Sequence, residues 1–366
     1  MRVICARKDL YEGVQTAGRA VSGRTSLPIL GHLLIKTEED KIHIVATDLE
    51  IGMECIVEAN VLEEGSLTVP ARVLTEFLAA LPETDVDLSV DESNTVTLKC
   101  GTSDFSILGL PPEEFPMLPE VREEVSFTID PEVLRDGIKK TSFAISLDES
   151  RAILTGILMQ VAEEGLKLVA TDTHRLCMQD CPLVESMGVV NAIVPGRAMN
   201  ELSRIVPESK DKISVAISAS QVMFKIDSTI LISRLIEGQF PNFEKVIPKE
   251  HTKKMTIPTE QLLQSVKRAA IVARENSNRS ILSAEDGKLI VTAESGNVGK
   301  AHEEVEVIKE GDDFKMAFNA KYLLDVLNVI ETEAIEVELS GEVSPALFRP
   351  QGQDDYTYVL MPMQVE

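Results

Sequence analysis

Apolar residues recur along this chain with two different periods. At Val73, Leu74, Phe77, Leu78 and Leu81, and again at Leu323, Leu324, Leu327 and Ile330, they fall three and four apart, the spacing that lines one face of an α-helix. Along Val86-Asp87-Leu88-Ser89-Val90 and Ile213-Ser214-Val215-Ala216-Ile217 they alternate, as in a strand with one face in a core. The pattern predicts helices over residues 8–20, 71–80, 131–144, 196–206, 259–274 and 319–330, among strands that far outnumber them. Such a mixture predicts an α+β fold, with helices packed on one face of largely antiparallel sheet.

The elements also repeat. Ala46-Thr47-Asp48 at the end of a predicted strand returns as Ala170-Thr171-Asp172, 124 positions later. Val69-Pro70-Ala71-Arg72 returns as Val194-Pro195-Gly196-Arg197, and Phe115-Pro116 as Phe240-Pro241, each 125 later. A weaker third copy runs through Leu289-Ile290-Val291-Thr292-Ala293 and Asn319-Ala320-Lys321-Tyr322-Leu323. Self-similarity on this scale predicts three tandem domains, 1–122, 123–250 and 251–366, with boundaries in acidic linkers.

Composition narrows the function. No run of about 18 apolar residues occurs, so no membrane helix is expected. The N-terminal Met1-Arg2-Val3-Ile4-Cys5-Ala6-Arg7-Lys8 lacks an apolar signal core, which predicts a cytoplasmic protein. Cys5, Cys55, Cys100, Cys177 and Cys181 are odd in number and form no C-x-x-C pair, as expected of reduced core thiols. Cys177 and Cys181 could join a metal site, but no second pair accompanies them. A net charge of −24 argues against a basic nucleic-acid-binding face, yet the six helical segments together carry +4, leaving −28 for the rest. The absence of Trp and an aromatic content of 4% leave few platforms for stacking unpaired bases, which disfavours a single-strand-binding protein.

Features shared by the repeats serve the fold, and features private to one are better functional candidates. Thr47-Asp48 and Thr171-Asp172 recur and read as strand-end turns in which the Asp caps backbone N–H groups. His174-Arg175 is private to the second copy, where the first has Glu50-Ile51. His174 could be a general base with Asp172 in a hydrolase or transferase, a structural histidine, or the wall of a binding pocket. The chain has no nucleophile elbow, no H-E-x-x-H and no phosphate-binding P-loop to accompany the first of these.

Four segments in order, Leu27-Pro28-Ile29-Leu30-Gly31, Val169-Ala170-Thr171-Asp172-Thr173-His174-Arg175-Leu176, Phe240-Pro241-Asn242-Phe243-Glu244-Lys245-Val246-Ile247-Pro248 and Tyr358-Val359-Leu360-Met361-Pro362-Met363, resemble the bacterial β sliding clamps, the processivity subunits of DNA polymerase III holoenzyme. The resemblance implies a non-catalytic, cofactor-free protein. It implies a ring-forming, head-to-tail homodimer whose helices line a channel around double-stranded DNA, without sequence specificity. It further implies an apolar groove between the second and third domains, which takes linear motifs from DNA polymerase III, an ATP-driven clamp loader, other DNA polymerases and repair proteins.

Carried over residue by residue, the groove would use Leu154, Thr171, Leu176, Pro241 and Val246, with His174 and Arg175 at its rim. Asn319, Tyr322, Val343, Val359, Leu360, Met361, Pro362 and Met363 would complete it. Flexible thioethers such as those of Met361 and Met363 suit a surface with several ligands. Where relatives often place an aromatic, the run Asn276-Ser277-Asn278 is polar. DNA contacts would come from Arg24, after the first helix, and from Arg72 and Arg197 at the starts of the second helices. The dimer interface would set Phe105 and Ile107 of one copy against Ile271 and Val272 of the other.

Elementary geometry agrees with such a ring. Six helices from each of two copies, spaced about 10 Å apart, would leave a channel of about 28 Å, wide enough for a duplex of about 20 Å. The charge partition also predicts a salt response. Too few helix cations are present for tight phosphate binding, so short linear duplex should bind only weakly at physiological salt, whereas protein loaded on a circle should stay on it at high salt. Retention on nicked circular against linear DNA checks this, and nanomolar affinity for the linear form would contradict it.

Overall fold

The computed structural model describes every residue except 22, 24–26, 207, 208, 210, 365 and 366. Helices form where the apolar spacing places them: α1 (Arg7–Ala17), α2 (Ala71–Ala80), α3 (Pro131–Thr141), α4 (Gly196–Ile205), α5 (Thr259–Ala273) and α6 (Ala320–Leu327). Three end three residues earlier than the spacing suggests: Gly18–Ala20 and Ser142–Ala144 tighten into 3-10 turns after α1 and α3, and α6 stops at Leu327. The helices approach their sheets closely. A Cβ on Gly13 of α1 would lie 2.8 Å from Val57, and one on Gly137 of α3 would lie 2.8 Å from both Cys181 and Leu168.

Among the described residues, four antiparallel sheets account for the strands. One has five strands, ordered Asn60–Glu63, Arg2–Ala6, Asp85–Val90, Thr95–Cys100 and Ser103–Leu108. One has nine, ordered Glu185–Met187, Val125–Ile129, Ile213–Ile217, Gln221–Ile226, Thr229–Arg234, Ile51–Glu58, Lys41–Thr47, His32–Glu38 and Gly65–Pro70. A second nine-stranded sheet runs Val190–Pro195, Gly156–Ala162, Gly165–Thr171, Arg175–Cys181, Tyr356–Leu360, Ala346–Pro350, Ala334–Leu339, Lys253–Pro258 and Ile308–Glu310. The last has four: Gly299–Glu306, Lys288–Ser295, Arg279–Glu285 and Phe314–Asn319.

Each repeat therefore makes one five-stranded and one four-stranded layer, and a five joins a four wherever two repeats meet. At one junction Thr229–Arg234 of the middle repeat pairs with Ile51–Glu58 of the first, and at the other Arg175–Cys181 pairs with Tyr356–Leu360. Shared sheets divide the middle repeat. The chain accordingly falls into two compact units, one of Met1–Glu132, Leu183–Gly188 and Asn200–Leu235, the other of Val133–Pro182, Val189–Met199 and Ile236–Glu366. The five cysteines are all buried and form no disulfide with one another, as core thiols should, and burial pushes the thiols of Cys5 and Cys181 up to about 12.

The first junction also has a packed face. Leu231 is fully buried and stands opposite Met53 across it. Leu231→Ala should lower unfolding free energy by about 3 kcal/mol, from lost transfer energy and an unfilled cavity. A urea midpoint that barely moves would show that this junction contributes little.

Candidate functional site

The duplicated Thr-Asp turns have one design. Asp48 Oδ1 accepts from the N–H groups of Glu50 (3.0 Å) and Ile51 (2.8 Å), and Asp172 Oδ1 from those of His174 (2.9 Å) and Arg175 (3.0 Å). In each, the Thr hydroxyl donates to a main-chain carbonyl four residues on, at 2.9 Å from Thr47 and 2.7 Å from Thr171. The residue after the Asp, Leu49 or Thr173, has a φ of 78°. These aspartates are turn caps, as the repeat implied.

What differs is the pair that follows. Arg175 was expected at a rim, but its side chain is only 7% exposed. Its Nε donates to Asp172 Oδ2 at 3.0 Å, its Nη1 to Asp325 Oδ2 of α6 at 2.5 Å, and its Nη2 to the carbonyl of Phe143. The guanidinium also lies over the Tyr322 ring, 4.2 Å from its centroid, and over Phe143 at 5.4 Å. Two carboxylates and a carbonyl compensate the buried charge, so the residue is a keystone between the turn, α6 and the end of α3. His174 is the residue left at the surface, with its ring stacked on Tyr322 at 6.5 Å between centroids.

The C-terminal tail closes the site. Tyr356–Leu360 pairs with Arg175–Cys181 in the register Arg175↔Leu360 to Gln179↔Tyr356, then leaves the sheet. Met361 N–H donates to the His174 carbonyl at 2.9 Å, and Met363 N–H to that of Ala317 at 2.7 Å. A cavity of about 500 Å³ results, lined by His174, Asn319, Tyr322, Met361, Pro362 and Met363. Asn276, Ser277, Arg279 and Gln364 line it too. The sequence signal for Asn276 and Ser277 was turn chemistry after a helix: Ser277 and the next residue, Asn278, adopt φ of 52° and 56°, and the Asn278 carbonyl accepts from the first N–H of α6 at 2.7 Å.

The remaining predicted groove residues are placed differently. Pro241 lines a second cavity of about 370 Å³ with Leu158, Ile193, Phe240 and Phe243. Leu154, Thr171, Leu176, Val359 and Leu360 are buried beneath the surface. Val246 and Val343 are 48% and 87% exposed and line neither cavity.

Elsewhere, Arg72 is 88% exposed and bonds Glu76 at 2.8 Å, Arg197 is exposed in the first turn of α4, and Arg24 lies outside the described residues. Phe105 packs on Phe77 with centroids 4.3 Å apart, Ile107 is buried, Val272 is half-buried, and Ile271 is 64% exposed. Among the described residues, no group of three or more His, Cys, Asp and Glu side chains could hold a metal, and no helix is long and apolar enough to cross a membrane.

Three copies of two helices on shared antiparallel sheet, with a cavity walled by His174 of the second copy and by the third copy and its tail, define a DNA-clamp architecture. Residues 1–119, 128–242 and 244–364 match the N-terminal, central and C-terminal domains of the DNA polymerase III beta subunit. The Beta sliding clamp of Halalkalibacterium halodurans is 31% identical over the whole of both chains, and that of Staphylococcus aureus 33% identical over 94% of each. Among solved structures, the Bacillus subtilis sliding clamp superposes with a TM-score of 0.96 at 29% identity, over all of both chains. A Pseudomonas aeruginosa sliding clamp solved bound to griselimycin does so with a TM-score of 0.94 at 32% identity, again over all of both chains. The chain belongs to the DNA polymerase III beta subunit family, the bacterial sliding clamps, and is a polymerase processivity factor.

Arg175 and His174 should separate stability from surface contact. Arg175→Ala leaves Asp172 and Asp325 without their shared cation and should cost about 3 to 5 kcal/mol. His174→Ala, at an exposed position, should cost well under about 1 kcal/mol. Chemical denaturation of both variants checks this, and equal stabilities would remove the keystone role.

Proposed function

We propose that this chain works as a head-to-tail homodimeric ring that encircles double-stranded DNA and tethers DNA polymerase III, an ATP-driven loader and other DNA enzymes through the tail-walled cavity. One observation carries the tethering: an open cavity beside a buried arginine keystone, walled by two methionines, a proline, a tyrosine and a histidine, with Arg279, Asn276, Ser277, Asn319 and Gln364 as its polar lining. Its size suits one or two anchor side chains of a linear motif, and its Met walls adapt to several. Three domains, 1–122, 123–250 and 251–366, are the segmentation we assign, in keeping with the three family segments.

The homodimer is supported by the unmatched sheets. Within the chain every five-stranded layer joins a four except those at the two ends, where Ser103–Leu108 edges a five and Gly299–Glu306 edges a four. Open edges of this length call for a partner strand, and a second copy supplies one to each. Helix positions point the same way. Counted from the helix starts, Ile271 in α5 corresponds to Arg19 after α1, which reaches Glu201 of α4 at 3.7 Å. An exposed isoleucine in that place fits an apolar seam with Val272, Phe105 and Ile107.

Arg24, Arg72 and Arg197 are the proposed DNA contacts. The protein is read as non-catalytic, because both carboxylate oxygens of Asp172 are engaged locally and His174 stacks on Tyr322.

Truncation after Leu360 tests the tethering. It removes Met361, Pro362 and Met363, and buried anchors of this kind typically contribute about 2 kcal/mol or more each, so a fluorescent peptide from the polymerase tail should bind well over tenfold more weakly by anisotropy. The melting curve should change little. Unchanged peptide affinity would move the site elsewhere.

A further inference from the structure

We infer that Arg279 selects among the motifs that enter the tail-walled cavity, by pairing with a carboxylate that the motif carries. The inference rests on the tethering reading and adds the chemistry of the ligand.

The cavity has two unlike sides. Tyr322, Met361, Pro362 and Met363 give it apolar walls, while Asn276, Ser277 and Arg279 come from the turn and strand that follow α5. Of the described residues that line it, none is acidic, and Arg279 alone carries a fixed positive charge. In a chain of net charge −24 such a lining is a local exception, and the neighbouring carboxylates do not cancel it. Asp172 and Asp325 are both bound to Arg175, and Glu275, in the turn beside Asn276, is not among the lining residues.

The backbone fixes where the charge sits. Arg279 opens the strand Arg279–Glu285 opposite Asn319, and its N–H donates to the Asn276 carbonyl at 2.9 Å. Ser280, Leu282 and Ala284 are buried, so alternation turns Arg279 to the other face of the strand, where it is half-buried beside the cavity. Two amides at this end are engaged within the fold. Asn276 Nδ2 donates to the Glu294 carbonyl at 3.0 Å, and Asn319 Oδ1 accepts from the Lys321 N–H at 3.0 Å. The guanidinium, with five N–H groups in a rigid fork, is the group whose shape and charge match a carboxylate. Partial burial strengthens such a pair, and the acidic remainder of the surface repels the same carboxylate. Apolar walls alone would give similar affinities to all motifs with the same anchors. A carboxylate in reach of Arg279 separates them, whether it comes from an acidic side chain or from the motif's own C-terminus.

Labelled polymerase-tail peptides made in pairs test this. One set differs only by Glu against Gln, moved one position at a time along the motif, and another by a free against an amidated C-terminus. Anisotropy with the full-length protein at low salt should show, for at least one pair, binding of the carboxylate member at least about threefold tighter. The ratio should shrink as salt rises. Arg279→Gln should bind both members of that pair alike, and Arg279→Lys, which keeps the charge and loses the fork, should keep part of the difference. Melting curves establish that each variant folds, and if Arg279→Gln does not, an undiminished ratio in Arg279→Lys overturns the inference. Equal binding within every pair by the wild-type chain, or a preference that survives Arg279→Gln in a folded protein, also overturns it and leaves the tethering reading in place. Failure of every peptide to bind the wild-type chain overturns both.

Discussion

Backbone hydrogen bonding between repeats is the constraint on which the rest of this molecule depends. A repeat that makes a five-stranded and a four-stranded layer leaves a row of amides and carbonyls at the edge of each, and buried groups of that kind must be paired. Ile51–Glu58 and Thr229–Arg234 solve the problem once, and Arg175–Cys181 and Tyr356–Leu360 solve it again. The candidate functional surface follows from the second solution. The strand that completes the ladder also delivers Met361 to Met363 beside the turn from which His174 projects, so sheet closure and cavity formation are one event.

What could be read from the chain was what is local. Helix spacing located all six helices because each buries a stripe of its own residues, and the Thr-Asp turn was legible because its donors lie two and three residues away. Arg175 was misplaced at a rim for the converse reason. Its partners Asp325 and Phe143 lie 150 and 32 positions distant, and no periodicity reports such a meeting. The division of the middle repeat between two units escaped notice likewise, since strand pairing across a repeat boundary leaves no mark on either strand. Resemblance named Val343 as a groove residue, yet it stands on an exposed turn, while Asn276, Ser277 and Arg279 enter the cavity from the far end of α5.

Charge tells a parallel story. The helices hold a small positive surplus in a strongly acidic chain, and several of their cations are already engaged: Arg72 with Glu76, Arg204 with Glu201, and Lys139 with Glu331. Exposed pairs like these are weak, and they exchange readily for a phosphate or for water. Cations engaged this way would attract a polyanion without gripping it at any one point, which would suit movement along a uniform lattice of phosphates better than residence at a site.

The tail past Leu360 has a thermodynamic side. Two main-chain bonds, from Met361 to His174 and from Met363 to Ala317, tie it down, and each is worth about 1 kcal/mol net. Were these two bonds its only tie, the latch would stand open in about one molecule in thirty. The cavity is then a fluctuating container whose far wall is part of the ligand's own binding equilibrium. A ligand that leaned on the closed wall would be rewarded by the population it recruits, and a bulkier one would enter only while the wall is open.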